Sequence, residues 1–362
     1  MTLKNFEVSL NDSVNWKSPF SLKCSVARTR KATALMDPNG ITLYSGVPRF
    51  NKSDYYSPSI FRTNFKLKNK GVLDPIDIQT SQNYKRIWPH GDEDYVGSFY
   101  VDHQVLFFFQ ETGSVDENKK IQIIDEISAE THRGHSDIPG GAETYFRVAR
   151  VCKKDKGTSK KPRTWSTYAK ARLNCSSFET MRICVFHIDD INRAFDGDFM
   201  KIYYKNNALS DPVNIPQARP KLCQENLKNY HSTSGDYSTM DTVIEPLMDG
   251  PIFELKNEQS YLTKIVADKI SKSVCGNVVD LTVIYAGTSQ GEVYKIIQWT
   301  EQGKIITKLQ DKFQAIPEDE EIKAMEISSK HQSIYVASAR RVKQINMKIS
   351  EDLIKSLFNL KC

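Results

Sequence analysis

A chain of 362 residues, 39% hydrophobic and 10% aromatic, has apolar material for one large β domain or two ordinary ones. Its 50 Lys and Arg against 44 Asp and Glu leave a formal net charge of +6 with both signs interspersed, which does not call for nucleic acid. No apolar run reaches the roughly 18 residues of a membrane-spanning helix, and the start, MTLKNFEVSLNDSVNWK, has no apolar signal-peptide core.

Strand signals recur along the whole length. Runs of β-branched and aromatic residues in alternation cover 41–46, 99–110, 145–153 and 165–175, and predict half-buried antiparallel strands. A run at 182–188 leads into DDINRAFDGDFM, which reads as a helix, and then into a polar, Pro-rich stretch. TMDTVIEPLM near the end of that stretch is apolar enough to dock, so 188–248 reads as an ordered insertion. Strand runs return at 261–270, 280–287, 291–299, 322–328 and 333–347. Ser289-Gln290-Gly291 reads as a hairpin turn with Gly where positive φ is needed, and His331-Gln332-Ser333 as a second. Many short strands with turn signals define an all-β chain: sandwich, barrel or propeller. No repeat of about 40 residues is legible to choose among them.

The chemistry-bearing residues are of several kinds. Seven cysteines lack CxxC spacing, which argues against a zinc knuckle and leaves their pairing open. His132, His135 and Asp137 have zinc-ligand chemistry but no further spaced partners, and the segment reads as a polar loop beside Pro139-Gly140-Gly141. There is no G-x-S-x-G elbow, no H-E-x-x-H and no G-x-G-x-x-G after a strand, so no catalytic set stands and an enzyme is not expected. Lys153, Lys154, Lys156, Lys160, Lys161 and Arg163 form either a solvated hairpin loop or a patch for an acidic partner. Tyr84, Arg86 and Trp88 are of types that anchor interfaces, although Trp88 could equally be core. Sequons at Asn11, Asn51 and Asn174 fit a glycosylated exterior.

Six stretches in order resemble one family. They are ATALMDPNGITLYSGVPRF (32–50), the Phe61-Arg62-Thr63 triplet, YFRVARVCKKDKG with TYAKARLNC behind it, CVFHIDDINRAFDGDF (184–199), PQARPKLC (216–223) and VDLTVIYAGTSQGEVYKII (279–297). They are similar to the sema domain of semaphorins across roughly residues 24–347, with Lys221 where the family usually has Gly. The resemblance, to invertebrate-type or secreted members, implies a sema-type β-propeller, seven-bladed in the family and incomplete here, as a truncated sema domain over 1–362 with a partly helical insertion. Residues 188–248 then correspond to the family's extrusion. It implies disulfides Cys152–Cys223 and Cys175–Cys184, with Cys24, Cys275 and Cys362 left over. It also implies an extracellular guidance ligand that binds a plexin receptor through the propeller face as a homodimer. Tyr84, Lys85, Arg86, Trp88, Lys153 and Lys154 are the candidate receptor contacts, sulfated glycosaminoglycan is a further partner, Asn51 and Asn174 are the glycosylation sites, and no cofactor is implied. Three departures weigh for an alternative, a degenerate or splice-derived fragment without signalling activity that acts as a decoy. The family's first blade is missing, only eight residues separate Cys175 from Cys184, and the cysteine-rich module that follows the propeller is absent.

Overall fold

The computed structural model describes residues 32–48, 59–67, 73–80, 93–113, 115–116, 121–124, 143–157, 165, 167–175, 181–198, 201–204, 209–210, 223, 239–248, 250–256, 259–347 and 349–358. Strands β1 (Thr33–Met36), β2 (Thr42–Gly46), β3 (Ile60–Leu67) and β4 (Leu73–Thr80) form an antiparallel meander. β5 (Asp94–Val101) and β6 (Gln104–Gly113) make a hairpin. β7 (Val115–Asp116) and β8 (Ile121–Ile124) follow, and β9 (Glu143–Cys152) and β10 (Ala169–Leu173) extend the hairpin sheet. Next come β11 (Met181–Ile183), helix α1 (Ile188–Phe195), β12 (Lys201–Tyr204), β13 (Leu209–Ser210), β14 (Thr239–Ile244) and β15 (Phe253–Leu255). A second meander comprises β16 (Leu262–Val274), β17 (Asn277–Thr288), β18 (Glu292–Glu301) and β19 (Lys304–Gln314). β20 (Ala324–Ser328), β21 (Ser333–Ala337), β22 (Val342–Asn346) and helix α2 (Glu351–Phe358) complete the order.

The chain divides into two compact units, residues 1–173 with 188–244, and residues 174–187 with 245–362. The first unit is organised by a five-stranded sheet in the order β14-β10-β9-β6-β5. β6 and β9 pair antiparallel from Gln104↔Cys152 to Gly113↔Glu143. Strand alternation therefore puts Val105, Phe107 and Phe109 on one face with Ala149 and Val151. That face closes a core with Tyr44, Ile60, Tyr95 and Trp165. Each such buried side chain contributes about 1.5–3 kcal/mol. On the same sheet β10 pairs β14 in parallel. Asp189 and Asp190 in the first turn of α1 and Arg193 in the last suit its dipole, and Ile191, Ala194 and Phe195 are its buried residues. Between β5 and β6 the chain turns at Asp102, whose φ of 50° is a left-handed conformation that Asp tolerates. The run 99–110 is thus parts of two strands rather than one.

In the second unit, Val279, Leu281, Val283 and Tyr285 of β17 with Val293, Ile297 and Trp299 of β18 build the larger core, joined by Ile334 and Val336 of β21 and Ile354 of α2. Two hairpins turn through paired positive φ values: Cys275 and Gly276 at 53° and 77°, Gln302 and Gly303 at 49° and 76°. Ser350 caps α2, accepting from Leu353 N at 3.2 Å. The β17–β18 turn uses Gly291 at φ 74°. A Cβ there would lie 2.2 Å from the Ile316 carbonyl oxygen. The Gly291 carbonyl accepts from Ala315 N and Ile316 N at 2.9 and 3.0 Å, so the neighbouring backbone is pinned against it. Gly291→Ala is expected to cost at least about 2 kcal/mol in urea denaturation. An unchanged midpoint would mean that the 315–316 backbone gives way freely.

Candidate functional site

Lys153 and Lys154 directly follow β9, and a buried carboxylate fixes their course. Asp155, 1% exposed, accepts hydrogen bonds from Gly157 N at 2.7 Å, Thr167 N at 2.7 Å and Thr167 Oγ1 at 2.6 Å. Thr167 Oγ1 accepts in turn from Cys152 N at 3.1 Å. One side chain therefore joins both ends of the β9–β10 connection. Cys152 is disulfide-bonded to Cys223, with Cα atoms 5.2 Å apart, which ties the same strand end to a residue 71 positions later.

Lys153 is held from three sides. Its N–H donates to the His103 carbonyl at 3.0 Å, and its own carbonyl accepts from Arg62 Nη1 of β3 at 2.7 Å. Its ammonium lies 4.2 Å from the centroid of the Tyr100 ring, a cation–π contact. Tyr100 meets Tyr44 edge-on at 5.9 Å. Burial pushes both phenols above their ordinary range; Asp37 adds to this at Tyr100, and Arg62 opposes it at Tyr44. Both hydroxyls are therefore neutral at physiological pH. Lys154 and Lys156 stand exposed on the turn. The result is a preorganised cationic and aromatic surface, suited to recognition.

A second charged set lies inside the same sheet. The Glu111 carboxylate accepts from Lys170 Nζ at 2.7 and 2.8 Å and from Arg147 Nε at 2.8 Å. All three side chains are at most 3% exposed. Burial pulls Lys170 below its ordinary range; Glu111 opposes this, and Arg147 adds to it. Arg147 and Arg172 also stack on the Tyr145 ring at 5.2 and 4.4 Å. Burial likewise pulls Arg150 down to about 10, with Asp196 opposing, and its guanidinium lies 4.7 Å from the Phe195 ring centroid. Arg150 remains charged at neutral pH.

Tyr84, Lys85, Arg86, Trp88 and Asn51 lie outside the described residues, as do His132, His135 and Asp137. Asn174 belongs to the second unit, where its Nδ2 donates to Glu245 at 2.6 Å beside the Cys175–Cys184 disulfide. Among the described residues no group of three or more His, Cys, Asp or Glu could hold a metal ion. No described helix is long and apolar enough to cross a membrane. Sequence reasoning passes over Arg62, Tyr44, Tyr100 and Asp155 as site residues. Asp155-Lys156-Gly157 does carry the D-x-G pattern of a turn, which is the one local signal available.

Small sheets, mostly antiparallel, define an all-β protein. A family profile for the Sema domain matches residues 147–329. Semaphorin-2A of Drosophila melanogaster is 30% identical over 90% of this chain and 47% of its own length. The solved Drosophila Semaphorin 2a superposes with a TM-score of 0.66 at 27% identity, covering 88% of this chain and 54% of that one. A structure of Drosophila Plexin A in complex with Semaphorin 1b matches in fold with a TM-score of 0.61 at 21% identity, over 88% of this chain and 64% of that one. The chain belongs to the semaphorin family, and its fold is the sema-type propeller of that family. It spans about half the length of the curated relative.

Proposed function

We propose that this chain is an extracellular signalling ligand that binds a plexin-type receptor through the face carrying Lys153 and Lys154. The Sema-domain match carries this reading, because it runs from β9 through β20 and so includes the strand that presents the two lysines. A semaphorin of the same fold is described in complex with a plexin, which supports the receptor class. Disulfides at Cys152–Cys223 and Cys175–Cys184 suit an oxidising, extracytoplasmic compartment. Tyr84, Lys85, Arg86 and Trp88 are further receptor contacts, 188–248 is the family's extrusion within one sema domain, and Asn51 and Asn174 carry glycans. The lysine turn also attracts sulfated glycosaminoglycan. A homodimer brings two receptor chains together, and the second contact gains from effective concentration rather than from new interactions. The reading is a binding function without catalysis.

Surface plasmon resonance on monodisperse protein against a panel of plexin ectodomains tests this. Binding is expected, with Lys153→Glu/Lys154→Glu weakening it about tenfold or more, chiefly through a slower, less salt-dependent association. Absence of binding to every plexin refutes the proposal. A second reading, a non-signalling fragment that acts as a decoy, is favoured by the separation of only 9 between Cys175 and Cys184, where the family carries several tens of residues. Receptor binding without receptor clustering on cells would select it.

A further inference from the structure

We infer that the outer edge of β19 pairs with β19 of a second copy of this chain, joining two β16–β19 sheets about a two-fold axis. β19 ends the sheet order β16-β17-β18-β19, and no further strand lies beside it among the described residues. This gives the homodimer of the proposed function a surface and rests on that part of the reading alone.

The backbone fixes which groups face outward. The turn at Gln302 and Gly303, both of positive φ, makes Glu301 and Lys304 a hydrogen-bonded pair. Such pairs alternate along an antiparallel ladder, so Ile305 and Thr307 turn N–H and C=O away from β18. At the other end of the strand Ala315 N donates to the Gly291 carbonyl at 2.9 Å. The same alternation there turns Lys312 and Gln314 outward. Lys312 N agrees, since it donates to the Asp311 carboxylate at 2.8 Å. Between the two halves the register shifts, and Gln310 has no partner on β18.

An axis between Leu309 and Gln310 makes this edge self-complementary. It sets Ile305 opposite Gln314 and Thr307 opposite Lys312 of the other copy, so outward residues exchange hydrogen bonds with outward residues. The intervening pairs, whose side chains approach most closely, are Ile306 with Phe313 and Lys308 with Asp311, each formed twice. These four lie on one face of β19, opposite Trp299, Val293, Ile297 and Lys295 respectively. Ile306 and Phe313 are only partly buried against the core on that face. Lys308 and Asp311 are both exposed, and neither is in an ion pair among the described residues. Leu309, 47% exposed, lies beside the axis and is covered by the second copy. Lysines on an edge ordinarily keep other strands away. Here no lysine meets a lysine, because Lys304, Lys308 and Lys312 fall opposite Ala315, Asp311 and Thr307. The contact is one strand pair, so it belongs to the small, weak class of interfaces.

The test is sedimentation velocity on the full chain from about 1 to about 200 μM, the range in which weak interfaces form. A concentration-dependent dimer is expected. Lys308→Asp and Asp311→Lys should each weaken it about tenfold or more by setting like charges opposite each other, and the double exchange should restore it. Thr307→Pro removes an N–H that serves only the second copy and spares the pairing with β18, so it should give a folded monomer. A parent that stays monomeric overturns the inference. So does a dimer that tolerates Thr307→Pro, or a double exchange no tighter than the single ones. Those last two results leave the homodimer of the proposed function standing on another surface, and receptor binding by single copies is untouched by any of them.

Discussion

Glu111→Gln is expected to destabilise the protein by about 3–5 kcal/mol at pH 7, because it leaves two buried cations facing a neutral amide. Lys170 and Arg147 both donate to that carboxylate, and neither side chain is more than 3% exposed. The loss should shrink as the pH rises. Burial already lowers Lys170 in the folded state and Glu111 works against that lowering, so the substitution pulls Lys170 down further. Between the lowered folded value and the ordinary value of 10.5, the unfolded chain binds the extra proton, and stability rises with pH. Below the folded value the lysine is charged in both states and the penalty is present in full. Urea titrations at pH 7 and pH 10 measure this. A loss of equal size at both values would show that the Lys170 charge is not its cause.

Cys223→Ser should cost about 4 kcal/mol, within the usual 2–5 kcal/mol, because the bond closes a loop of 71 residues in the unfolded chain. The same bond fixes the end of β9 from which Lys153 and Lys154 project. If the chain binds a receptor as proposed, the variant should therefore lose affinity as well as stability, whereas Gly291→Ala in the other unit should lose stability alone. Cys175→Ser/Cys184→Ser opens a loop with a separation of only 9 and should cost roughly 2–3 kcal/mol. Thermal melts of the two variants side by side decide the order. A Cys223→Ser midpoint equal to that of the parent would mean that the cross-link adds nothing to the fold.

Turn chemistry is the part of the fold most legible in the sequence. Gly291 at φ 74° sits in the turn expected from its residue type, and Gln332 at φ 46° in the turn expected between two strand runs. β19 is invisible to alternation, because KIITKLQDKFQ packs few of its residues and leaves both faces partly wet. The β5–β6 boundary is hidden because Asp102-His103 contains neither Gly nor Pro. The run 182–188 predicts more strand than exists, since β11 ends at Ile183 and α1 starts at Ile188. The site is legible where charge clusters, at Lys153 and Lys154. It is not legible at Arg62, which reaches Lys153 across 91 positions, or at Glu111, which meets Lys170 across 59. Such partners are set by strand register, and register follows from pairings that no short window contains.

The parallel pairing of β10 with β14 has a consequence for synthesis. The edge of β10 waits for a strand that lies about 70 residues downstream, and Cys152 waits as long for Cys223. At ribosomal rates of about 5–20 residues per second, that interval lasts on the order of 4–14 s. For that time the nascent chain presents an unpaired strand edge and a thiol with no partner. A chain stalled anywhere between Leu173 and Thr239 should be held by chaperones and oxidoreductases rather than released. The yield of folded protein is then limited by how quickly this one stretch clears the ribosome.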